Sequence, residues 1–268
     1  MSIAVGETVA TACRLVIGRT GELFRVGLVL ILGMFAIFVF ALRYLLPLLG
    51  AEVPQTGGAH PGAAMPDPRL YPGGLAMLVA EFLFIAIFGV GWHRLILLGP
   101  DSGLGVALGR RELAYFGRMW LCFLGMLLFT FAFSIAEVMI AGLLGAEPRS
   151  FLAIASVGYV LVVIYALARL GPAFAGLAID RPFGFAQAWQ ATRGEGLRLV
   201  AVYLLAGAGW FAVAFVFSLL AEALRLGEAA PYALLFINAV LFTAFQAVLV
   251  TINAMLFRQL AGRAGTRT

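Results

Sequence analysis

Lysine is absent from this 268-residue chain: all 18 of its basic side chains are arginine, a bias that fits a GC-rich genome. Charge of either sign is scarce, at 12% of residues against about a quarter in soluble domains. That scarcity excludes a soluble globular fold. The two cysteines, Cys13 and Cys122, are too few for a disulfide framework or a metal motif and read as free thiols. The two histidines, His60 and His93, fall on opposite sides of the expected membrane, so they cannot share a metal. The formal charge of +5 does not point to nucleic acid, because the arginines are spread over short inter-helix loops. No G-x-S-x-G, no H-E-x-x-H and no nucleophile beside a base is found. Gly103, Gly105 and Gly109 have the wrong spacing for a dinucleotide loop, and no strand precedes them. Neither an enzyme nor a cofactor is expected.

What the chain has in abundance is apolar length. Hydrophobic residues make up 63% and the mean hydropathy is +1.04. The apolar runs are about 20 residues or longer, enough to cross roughly 30 Å of hydrocarbon at 1.5 Å per residue. They predict an all-α polytopic membrane protein whose six spans cover about 26–49, 75–98, 119–144, 151–175, 197–221 and 232–257. The first run begins too late and is too long for a cleavable signal, so it is expected to stay as an anchor. Residues 51–74 are dense in Pro and Gly and predict a mobile loop outside the membrane.

Six spans place both termini on one side. That side carries 14 of the arginines, whereas Arg43, Arg69, Arg149 and Arg225 lie opposite. The positive-inside rule then predicts cytosolic termini in a bacterial inner membrane. Residues 1–22 predict an interfacial amphipathic helix, since Val5, Val9, Ala12 and Val16 share a face. A helix packed beneath the bundle fits the same periodicity. Residues 263–268 form a short cytosolic tail.

An internal repeat accompanies these spans. Glu22, Glu112 and Glu195 stand among arginines ahead of the odd-numbered spans, and Arg94, Arg169 and Arg258 close the even-numbered ones. The pattern suggests three hairpins related by an axis along the membrane normal. Helix entrances that simply favour Glu and Arg would produce it too.

Ionisable groups inside a bilayer are costly unless paired or hydrated. Arg43, Glu81 and Glu137 are expected at similar depth, roughly 9 to 11 Å below the boundary opposite the termini. Glu222 sits at that boundary, with Arg225 three residues on. One reading is a proton or solute site in an outward-facing cavity. The other is an Arg43–Glu81 pair that locks the first hairpin. Span six adds a polar stripe, with Gln246 and Asn253 seven residues apart on one face. Such a stripe lines a pathway or hydrogen-bonds to neighbouring helices.

The stretch Arg169–Val200 links spans four and five. Pro172 predicts a break or kink at the end of span four. Phe185, Trp189 and Thr192 repeat at i, i+4, i+7, with Arg193 next to them. A tryptophan beside arginine suits an interfacial helix on an anionic leaflet, acting as a headgroup or docking platform. A lid over the end of the bundle is the alternative. The Trp92-His93-Arg94-Leu95 ending of span two and the Arg169…Pro172-Ala173…Ala188-Trp189…Thr192-Arg193-Gly194 module resemble those of a broad group of bacterial inner-membrane proteins. That group includes the YciC type and the membrane domain fused to some glycerophosphodiester phosphodiesterases. The resemblance implies a six-helix bundle with interfacial helices and no assigned activity, and the phosphodiesterase's soluble catalytic domain has no counterpart here. The expected role is a scaffold, regulator or lipid-interacting membrane factor, with a small-solute or proton-coupled transporter as the alternative.

Overall fold

The computed structural model describes residues 3–45, 70–100, 108–144, 148–181 and 183–264. They form α1 (Val5–Ile17), α2 (Thr20–Phe40), α3 (Leu70–Leu98), α4 (Arg110–Leu144), α5 (Pro148–Ala178), α6 (Phe185–Ala191), α7 (Gly196–Ala223), α8 (Leu226–Ala229) and α9 (Pro231–Ala264). A π-helical turn, Ala41–Leu45, extends α2. No strand occurs among the described residues. Six helices, α2, α3, α4, α5, α7 and α9, are long and apolar enough to span a bilayer. The protein is an all-α polytopic membrane protein. Most of the expected 51–74 loop lies outside the described residues, but its last turn, Leu70–Gly74, already belongs to α3.

The spans pack in a cyclic order. α2 packs on α9, α4 on α3, and α7 on α5, while α3, α5 and α9 contact one another. Each hairpin (α2–α3, α4–α5, α7–α9) thus contributes an inner even-numbered span, and lays its odd-numbered span on the inner span of the hairpin before it. Three related hairpins would pack in this way. The lead-in helices keep the same order: α1 packs on α7 and α9, and α6 on α5. Glycines allow the closest approaches. A Cβ on Gly33 would run into the Phe84 ring, and one on Gly27 would come within 2.8 Å of the Thr243 methyl.

The N-terminal helix is shorter than the expected 1–22 segment, because Glu22 and Arg25 already belong to α2. Thr8, Ala12 and Val16 are buried on its inner face. Ile3 and Ala12 join Leu199, Val202, Ile252 and Leu256 in one cluster, with Val5 and Val9 packed against it. α1 therefore lies against the bundle, on the side where α9 ends, hereafter the terminal side.

Packing is uneven along the membrane normal. Among the described side chains of α4 only Tyr115, near its terminal-side end, is buried; the far-side ones are exposed or half-buried. α5 has none between Ala155 and Leu167, then buries most residues from Ala168 to Ala178. α7 has none between Gly207 and Leu220. The core sits in the terminal half: Trp92, Leu95, Leu199, Ile252, Leu256 and Leu260 are almost fully covered.

Candidate functional site

Three sets of polar residues inside or at the edge of the bundle are candidates: the intramembrane charges, the Arg169 module and the polar face of α9.

The charges do not assemble. Arg43 lies in the π turn at the far end of α2 and donates from Nε to the Tyr232 hydroxyl at 2.9 Å, and from a terminal nitrogen as well. Tyr232 is the second residue of α9, so Arg43 sits at the level of a helix end, exposed and shallower than expected. No ion pair joins it to Glu81, which corrects the expected hairpin lock. The physical reason is register. α3 starts at Leu70, which puts Glu81 eleven residues into its helix, about 16 Å at 1.5 Å per residue. Glu81 is half-buried and makes no hydrogen bond or ion pair among the described residues. Glu137 is half-buried on α4, with Oε1 shut off from solvent and unpartnered. Glu222 is exposed near the end of α7. No hydrogen bond or ion pair connects any two of these four residues.

The Arg169 module does assemble. The Arg169 guanidinium is buried and donates from Nε to Thr192 Oγ1 and from Nη1 to the Tyr165 hydroxyl, both at 2.9 Å. Its Nη2 donates to the Trp189 carbonyl. The same group stacks 3.7 Å from the centre of the Trp189 ring. Thr192, fully buried, donates in turn to the Ala188 carbonyl at 2.8 Å. A buried cation is tolerated here because all three of its nitrogens are used and an aromatic face covers it. Trp189 remains 41% exposed, and Arg193 is exposed one turn on. Phe185 packs against Phe174 at 5.8 Å between ring centres and lies 5.7 Å from the Arg118 guanidinium. α6 is pinned by its buried Ala188, in a cluster with Ala173, Ala175, Phe183, Phe257 and Leu260.

Pro172 does not break α5, which continues to Ala178. Neighbouring helices hold the segment: Arg118 donates to the Ala173 carbonyl at 3.2 Å. A proline inside a packed membrane helix is tolerated when surrounding groups support the backbone. Beside it, a Cβ on Gly171 would collide with Asn253 and with the Tyr203 hydroxyl.

Arginines as carbonyl caps are the feature that sequence reasoning missed. Arg19 donates to the Leu95 carbonyl at 3.3 Å, and Arg258 to those of Ile96 and Leu97 at 3.0 and 3.1 Å. These are carbonyls of the last turn of α3, where backbone donors run out; the Leu95 carbonyl also accepts the Gly99 N–H at 3.1 Å. Arg258, one of the arginines that close the even-numbered spans, carried part of the signal, since a cation near a helix C-terminus is favourable. At the same edge, Arg111 donates from Nε to Asp180 Oδ2 at 2.6 Å and also forms an ion pair with it. That hydrogen bond holds the Asp180 carboxyl below the usual aspartate range.

The polar face of α9 divides by role. Thr243 and Thr251 hydrogen-bond back to their own helix, and Thr251 also accepts the Trp92 indole N–H at 2.9 Å. Asn253 accepts from the Tyr203 hydroxyl. Gln246 makes no hydrogen bond among the described residues. Both Gln246 and Asn253 line a cavity of about 360 Å³ between α3, α4, α5, α7 and α9.

No protein-family model, curated protein or solved structure matches this chain.

Proposed function

We propose that the protein is a lipid-interacting membrane factor, not an enzyme, whose terminal side faces the cytoplasm of a bacterial inner membrane and meets anionic headgroups. The observation that carries this reading is the rim of the Arg169 module. Trp189 is held half-exposed by a buried arginine, and the exposed Arg193 stands beside it. Tryptophan prefers headgroup depth, and each basic residue near an anionic surface contributes about 1 kcal/mol. The arginine excess on the terminal side supports the orientation. The motif resemblance to the YciC type, a group without assigned activity, is part of the same reading.

The test is lipid retention. Nanodiscs of phosphatidylcholine with increasing phosphatidylglycerol are used, and the lipids that stay with the released protein are counted by native mass spectrometry. Enrichment of phosphatidylglycerol that falls about fivefold in Arg193→Gln is the expected result, equivalent to about 1 kcal/mol. Equal retention of the two lipids by the wild type would remove the reading.

Small-solute or proton-coupled transport is the second reading, favoured by the unpaired Glu81 and the shut-off Glu137 oxygen. Uptake into proteoliposomes that disappears in folded Glu81→Gln or Glu137→Gln would put it first. Uptake unchanged by both substitutions would take these carboxyls out of any pathway.

A further inference from the structure

We infer that the open cleft between α3, α4, α5, α7 and α9 is a binding site for a neutral amphiphile with a single alkyl chain. This goes beyond headgroup contact at the rim and concerns a different part of the molecule. The cavity, about 360 Å³, lies within the size range of small-molecule sites. One wall is apolar and adaptable: Met119, Phe123 and Met126 from α4, with Phe82 and Ile85 from α3. Methionines suit a site that must fit a flexible chain. The opposite wall carries the polar groups. Gln246 has a full set of amide donors and acceptors and no partner among the described residues, and the Asn253 amide nitrogen is left free when its oxygen accepts from Tyr203.

An amide inside a bilayer that meets no partner is costly, so something within the cavity completes it. Water is a poor candidate. The volume would hold on the order of a dozen molecules at about 30 Å³ each, and each needs two to four polar partners. The walls offer only Tyr115, Tyr203, Gln246, Asn253 and the weak Cys122 thiol. None of the lining residues is ionisable at neutral pH in the way a carboxylate or phosphate would require, which selects a neutral head. Gln246 and Asn253 are seven residues apart, about 10 Å along α9. A hydroxyl or ester head can bond at one of them while its chain lies along Met119, Phe123 and Met126. Entry from the bilayer is compatible with the sparse far-side packing of α4, α5 and α7.

The experiment uses the full chain in phosphatidylcholine nanodiscs with a photoactivatable monoacylglycerol, followed by peptide mapping. Saturable labelling of the 119–126 and 246–253 segments is expected, competed by unlabelled monoacylglycerol at least tenfold better than by a fatty acid of the same chain length. Gln246→Leu, close in size, should reduce labelling about tenfold. Met126→Phe, which fills the cavity from the other wall, is a second variant should the first fold poorly. Labelling spread over lipid-exposed positions such as Phe211 and Phe215, and indifferent to competitor and to both substitutions, would overturn the proposal. Arg193→Gln should leave the labelling unchanged, which separates this site from the headgroup reading.

Discussion

The terminal half and the far half of this bundle are built from equally apolar helices, yet they differ in how they are held. All six spans are strongly apolar, with mean hydropathies from 1.9 to 2.6. In the terminal half, side chains interlock: Trp92 with Thr251, Tyr203 with Asn253, and Arg169 with Thr192, Tyr165 and Trp189. In the far half, α4 and α5 meet chiefly through Phe129, Thr130 and Phe133 around Tyr159. Lipid tails are as apolar as leucine, so apolarity alone gives helices no reason to associate. Close packing and interhelical hydrogen bonds decide where the bundle is tight.

That contrast can be broken most forcefully at Arg169. Arg169→Met removes three donors and the stacked cation, leaving Thr192 and the Trp189 carbonyl without their partner. A loss of about 3 kcal/mol is expected from charged hydrogen bonds and a desolvated cation–π contact together. It would be read as a lowered midpoint of unfolding in mild detergent. A smaller effect is expected at Gly171, where an alanine methyl forces Asn253 and Tyr203 apart; overpacking of this kind costs about 1 to 3 kcal/mol. As the far-half control, Phe211→Ala alters a side chain 73% exposed and should stay within about 0.5 kcal/mol. A far-half substitution as damaging as Gly171→Ala would erase the contrast.

The smallest effect belongs to the surface pair Arg111–Asp180. Its carboxylate is bonded in the folded protein, so its folded-state pKa lies below the unfolded value. The pair's contribution is therefore present above the unfolded pKa and disappears as pH falls through the folded one. Because both partners are exposed, the change is minor. Carbon-detected NMR should show the Asp180 titration move to higher pH in Arg111→Gln, and an unchanged midpoint would refute the assignment.

How far the sequence was legible follows the same physics. Span existence was plain, since runs of about 20 apolar residues have few other uses. The residues of the Arg169 module stood out, Trp, Pro and Arg in a greasy background, but not the bonds that tie Arg169 to Thr192 and Trp189. The predicted charge cluster failed because depth was counted from apparent span ends. Five residues of extra helix at Leu70 and a π turn around Arg43 are enough to separate the charges. The cleft between the spans could not be foreseen. A helix apolar on every face does not announce which side turns inward, so Gln246 and Asn253 carried a shared face but no destination.

The cyclic order of the hairpins also sets a timetable for assembly. α4, α6 and α7 each dock on a span made earlier, so they can settle as they emerge. α1 cannot, because its partners α7 and α9 follow it in the chain, whereas α2 can pair at once with α3 and meets α9 later. Until then the inner face of α1, with Val5, Val9 and Ala12, lacks the helices that cover it in the folded protein. α1 thus precedes every span yet finds its place only after α9, and the ring closes when α9 meets α2.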